Sequence, residues 1–159
     1  MNTLNYLGLN ESKVANVIGG LNQLLADLQV FYANLHGFHW NVKGKGFFTL
    51  HGKYEELYDD VAEKIDEVAE RILQLGGTPE NRYSEYLKIS QVKEDGFTPS
   101  GIESVSKVLD TLSILIKEER QLVDLANEAN DEVTAGLMGD YLQGQEKTVW
   151  MLLSFINKQ

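Results

Sequence analysis

All three histidines of the chain, His36, His39 and His51, fall inside one stretch, LHGFHWNVKGKGFFTLHGKYEELYDD, which runs from Leu35 to Asp60 into a dense acidic segment. Imidazoles beside carboxylates are ligands for iron, zinc or manganese. On a helix, His51 and Glu55 stand four residues apart and share a face, as do Asp66 and Glu70. Glu55 and Asp66 are eleven residues apart, a step that returns to within about 20° of the same direction. The four side chains therefore form one stripe. His51 and Asp66, however, lie about 22 Å apart along the axis, too far for one metal ion to bridge. The gap closes if this helix packs antiparallel against its own copy, with a two-fold axis near Asp60 and Val61. His51 and Glu55 of one chain then face Asp66 and Glu70 of the other, and His39 completes the site from the His51 side.

Plainer readings stand beside this one. Glu55, Glu56, Asp59, Asp60, Glu63, Asp66, Glu67 and Glu70 also fit a solvated acidic face, and spacing alone does not choose between the two. His36 reads as a packing residue, and Trp40, taken by itself, as core. Bundles that hold two metals inside one subunit use Glu-x-x-His on each of two helices, and the chain has no such motif. His-Glu-x-x-His, Gly-x-Ser-x-Gly and phosphate-cradling Gly-Lys-Ser/Thr patterns are missing too. Metal ligands in this chain are expected between subunits.

The elements that position these residues are helical. Apolar residues from Val14 to Leu35 recur at helical spacing behind a candidate cap at Asn10. A second block spans about Thr49 to Leu75 and ends at LGGTPEN, with glycines suited to a helix C-terminus. The third runs from near TPSGIES to Asn127 and the fourth from about Asp131 to Asn157, with SEYLKIS as a short helix between blocks two and three. This predicts an all-α, single-domain chain over residues 1–159: a four-helix bundle with a long middle crossover. Gly136, Gly139 and Gly144 weaken the fourth helix by roughly 1 kcal/mol each, and close packing on another helix or subunit is the expected compensation.

Composition narrows the function. The chain has 159 residues and no cysteine, which excludes disulfides and thiolate sites. Acids outnumber bases 24 to 14, a formal charge of −10 that repels phosphate backbones and attracts cations. The N-terminal MNTLNYLGLNESK does not read as a signal peptide, and no apolar run approaches a membrane span. A soluble cytoplasmic protein is expected.

The run HWNVKGKGFFTLHGKYEELYDDVAEKIDEVAERILQLGGTP, from His39 to Pro79, resembles the Dps family, the mini-ferritins. It shares the His-Trp-Asn start, the twelve-residue step to a second histidine and the acidic helix ending in AERILQLGG. The helical layout and KTVWMLLSFI near the C-terminus extend the likeness over nearly the whole chain. The resemblance implies a ferritin-like fold and a hollow dodecamer with ferroxidase sites at two-fold interfaces. It implies oxidation of Fe(II), preferably by hydrogen peroxide, and storage of Fe(III) as a mineral that protects against oxidative stress. His39, His51 and Glu55 fall on the ligands of one subunit, and Asp66 and Glu70 on those of its neighbour. Glu55 stands where the family most often has Asp. Trp40 falls on a tryptophan thought to intercept oxidising equivalents. Glu56, assisted by Asp59 or Asp60, falls where the family has a mineral-nucleating acid. Candidate ion-entry acids are Asp131, Glu132, Asp140 and Glu146. DNA binding is not expected, because the N-terminal segment carries only Lys13 and the C-terminus is NKQ. The competing functions are a catalase-like di-metal bundle and a DNA-compacting or purely structural assembly.

Overall fold

A computed structural model describes residues 2–157; Lys158 and Gln159 of the C-terminal NKQ lie outside the described residues. The chain order is α1 Thr3–Leu7, α2 Glu11–Asn41, α3 Phe47–Gln74, α4 Tyr83–Ile89, α5 Gly101–Glu128 and α6 Glu132–Ile156. Among the described residues no strand forms; the one ladder contact is an isolated bridge between Lys43 and Ser100. Helices α2, α5 and α6 start where a side chain satisfies one of their first N–H groups. Asn10 accepts from the Lys13 amide at 3.2 Å, Ser100 from Glu103 at 3.3 Å and Asp131 from Thr134 at 3.0 Å. Helix α3 ends in a Schellman-type turn. Gly76 takes φ 81°, and the Gly77 amide bonds the Ile72 carbonyl at 2.9 Å.

Two boundaries differ from the expectation. Helix α1 was not foreseen: it is one short turn held between the Asn2 side chain and the left-handed Gly8. Helix α3 begins two residues early, at Phe47, because the Gly44–Gly46 break ends sooner than its glycines suggest.

Helices α2, α3, α5 and α6 make the bundle, through the pairs α2–α3, α5–α6 and α2–α5, with α4 lying on α2. The α2 residues Val14, Val17, Leu21, Leu24, Leu25, Leu28, Phe31, Leu35 and Phe38 are buried, facing Val105, Val108, Leu112, Leu115 and Leu122 of α5 within one core. Complete burial of Leu21, Leu28 and Leu115 stabilises the fold by about 1.5–3 kcal/mol each. The α2–α5 crossing requires Gly20, since a Cβ there would stand 2.6 Å from Leu122 Cδ2.

The crossover between α3 and α5 is fixed by polar side chains of α2. Asp27 Oδ1 accepts from the Ser90 hydroxyl at 2.7 Å and from the amides of Gln91 at 2.6 Å and Val92 at 3.0 Å. Asn34 donates to the Lys93 carbonyl and accepts from the Asp95 amide. Gly136, Gly139 and Gly144 correct the packing expectation inside the chain. Among the described residues, a Cβ built at any of them would meet no atom of another helix within 4 Å, so packing within the chain does not explain them.

Asp131 is also corrected. It does not face outward as an ion-entry acid: its side chain is 1% exposed and paired with Arg71 at 2.7 Å, while also bonding the Thr134 hydroxyl. This buried group ties the end of α3 to the start of α6. Glu146 pairs with Arg120 at the surface. Glu132 and Asp140 are exposed.

Candidate metal half-site

The end of α2 and the first turns of α3 bring His39 and His51 together. Their rings stack with centroids 3.7 Å apart and planes 16° from parallel. Each ring bonds the other residue's backbone. His39 Nδ1–H donates to the His51 carbonyl at 2.7 Å, and His51 Nδ1–H donates to the His39 carbonyl at 2.9 Å. A carbonyl can only accept, so each Nδ1 carries a proton, and in the neutral form of either ring the lone pair is left on Nε2. This is the tautomer that imidazole ligands use, with the second nitrogen oriented by a carbonyl. The His39 carbonyl is open to this bond because the helix ends there. The Lys43 amide, its helical partner, bonds the Pro99 carbonyl instead.

Packing fixes both rings. Phe47 stacks beside His51 at 5.0 Å, and Tyr58 meets His39 edge-on at 5.3 Å. His36 is a packing residue, as expected. It stacks on Tyr58 at 4.1 Å and its Nδ1 bonds the Tyr32 carbonyl at 3.1 Å. Trp40 lies 5.4 Å from His36 and is 70% exposed. Burial, with the carboxylates of Glu55 and Asp59, holds the Tyr58 hydroxyl above its ordinary range.

Helix α3 is unbroken from His51 to Glu70, so the stripe read from spacing exists. Glu55, Asp66 and Glu70 are exposed on it, and none enters an ion pair with a described residue. Their neighbours behave differently. Glu56 is paired with Lys53 at 2.9 Å and Asp60 with Lys64. Lysines thus neutralise Glu56 and Asp60, while the stripe of Glu55, Asp66 and Glu70 stays without an ion pair among the described residues. Within one chain, among the described residues, no three of His, Asp and Glu come close enough to hold a metal ion. The chain presents two imidazoles at one end of α3 and two carboxylates at the other. Phe47 and Tyr58 were missed in the sequence, although four and seven residues from His51 place them on neighbouring positions of the same helix.

The ferritin-like domain profile matches residues 18–159. The chain is 56% identical to the DNA protection during starvation protein of Porphyromonas gingivalis over 98% of both chains. It is 43% identical to the protein of the same name from Brevibacillus brevis, over 86% of this chain and 91% of that one. Among solved structures, the Dps protein of Vibrio cholerae superposes with a TM-score of 0.92 at 46% identity, covering 94% of each chain. That protein is described as a member of the ferritin-like diiron-carboxylate superfamily. Dps from Bacillus brevis superposes at 0.89 with 41% identity, over 92% and 98%. With this identity spread over almost its full length, the chain belongs to the Dps family of ferritin-like proteins.

Proposed function

We propose that the chain assembles in the cytoplasm into a dodecameric shell that oxidises Fe(II) with hydrogen peroxide and stores the Fe(III) as mineral. The observation that carries this reading is the imidazole pair: two stacked rings with both Nε2 atoms free, and their complementary carboxylates out of reach on the same chain. Across a two-fold axis, His39, His51 and Glu55 meet the partner's Asp66 and Glu70.

Two Fe(II) ions held side by side each give one electron to the same peroxide. The O–O bond then breaks by a two-electron step, and no hydroxyl radical is released. Overall, two Fe(II), one H2O2 and two H2O become two FeOOH and four protons. Carboxylates favour the ferric product, since the added positive charge strengthens their attraction. Glu55 supplies the carboxylate next to the histidines on a longer arm than Asp. Glu56 serves as a nucleating acid once mineral cations displace Lys53, and Trp40 stands at the rim to intercept stray oxidising equivalents. The formal charge of −10 draws Fe(II) inward and disfavours DNA.

The test is anaerobic titration of Fe(II) against peroxide, followed by size exclusion. Consumption near two Fe(II) per peroxide, with iron eluting on a twelve-subunit particle, supports the reading. Oxygen evolution without retained iron indicates a catalase-like bundle. Oxidation no faster than buffer leaves a structural or DNA-compacting assembly, the latter resolved by a gel shift at physiological salt.

A further inference from the structure

Two neighbouring acids of α5 are buried where the proposed iron chemistry does not use them. Glu118 is 6% exposed and Glu119 is completely buried. Consecutive helical residues point about 100° apart, so they enter different seams of the bundle. Glu118 faces Asp27 of α2. Asp27 is itself fully buried and already accepts from Gln23, Ser90, Gln91 and Val92. Glu119 faces α6, where the Gln145 side-chain amide donates to it at 2.7 Å. It also feels Lys64 and Asp60 of α3 and its neighbour Arg120, while Tyr141 of α6 faces both Glu67 and Glu119. No protein group makes a well-formed hydrogen bond to either Glu118 oxygen or to the second oxygen of Glu119. Lys64, the α3 cation that acts on Glu119, is paired with Asp60. Ionised carboxylates in these seams would be desolvated and poorly compensated.

We infer that Glu118 and Glu119 make α5 a pH-operated wall of the bundle, clamped while both carboxyls carry a proton and loosened as rising pH draws those protons away. Burial, reinforced by Asp27, pushes the Glu118 carboxyl up to about 9. Burial pushes Glu119 up to about 8, against the Gln145 hydrogen bond and Lys64. The sign follows. Once opened to water, these groups ionise above about pH 4.3, the ordinary value of a glutamate. The closed bundle holds their protons until pH 8–9. Between these limits only the opened form releases protons, so each pH unit favours opening by about tenfold per group. Below the lower limit the clamp is complete, and above the upper limit the loss is complete. On the proposed function, the protons released as mineral forms would hold α5 closed while the core grows.

The test needs no iron, so its failure and the failure of the proposed function are distinguishable. Amide hydrogen exchange is measured on the assembled shell at pH 5.5, 6.5 and 7.5, corrected for the intrinsic pH dependence of exchange. Wild type is compared with Glu118→Gln/Glu119→Gln. The expected result is that protection of α5 in wild type falls about a hundredfold per pH unit, tenfold for each group, while in the double variant it changes by no more than about twofold. Each single variant is expected to remove about half of the logarithmic slope, which keeps the test available if the double variant assembles poorly. The same slope in wild type and both single variants would overturn the inference.

Discussion

His39→Ala and Asp66→Ala chains, each inactive alone, should make active shells when mixed. If a site takes its imidazoles from one subunit and two carboxylates from the next, the two lesions lie on opposite sides of the interface. A site is then complete only when its histidine side comes from the Asp66→Ala chain and its acidic side from the His39→Ala chain. For a fraction f of one variant, the share of complete sites is f(1−f), so an equal mixture restores about one quarter of wild-type sites and a 9:1 mixture about 9%. A site built within one chain gives none at any ratio, because every chain lacks a ligand. The geometry sets this contrast, since His51 and Asp66 are about 22 Å apart along an unbroken helix. The variants are co-refolded at graded ratios, native mass spectrometry verifies random mixing, and stopped-flow absorbance follows peroxide-driven Fe(III) formation. A parabola in f that peaks at equal mixing is the expected outcome. A flat line at the parental rate in verified mixed shells would refute the shared site.

Two further outcomes follow from the buried polar groups. Arg71→Ala strands the buried Asp131 carboxylate and should lower chain stability by about 3–5 kcal/mol in chemical denaturation. The shells that do form should oxidise iron at the wild-type rate, whereas a slower uptake of Fe(II) would return Asp131 to an ion path. Asp27→Ala leaves the Gln91 and Val92 amides without their acceptor, while the Ser90 hydroxyl keeps the Val92 carbonyl, at a cost of at least about 2 kcal/mol. Hydrogen exchange should rise first in residues 90–92, and an unchanged protection there would show that Asp27 does not hold the crossover.

The bundle was legible because the 3.6-residue period is local and strong, and Asn10 caps α2 as its position suggested. The stripe of Glu55, Asp66 and Glu70 was legible for the same reason, since helical angle needs only residue number. What sequence did not carry depends on approach between distant segments. Asp131 looks like an entry acid until Arg71, sixty residues earlier, is found beside it. Lys53 and Lys64 neutralise Glu56 and Asp60 at helical spacings that were available but unweighed. The crossed His39 and His51 backbone bonds arise only once the end of α2 meets the start of α3. On the proposed shared site, the other half comes from a second copy, which neither one sequence nor one folded chain displays.

The crossed histidine bonds and the distant carboxylates bear on the life of a newly made subunit. Each chain folds with its imidazoles already oriented, yet among its described residues holds no grouping of three metal-ligating side chains. On the shared-site reading, a free subunit is redox-silent. On that reading, catalysis would begin only when two subunits pair, when a shell wall would also be forming to contain the ferric product. Assembly itself is then the licensing step, and no inhibitor, chaperone or processing event is needed to keep unfinished protein from generating rust in the open.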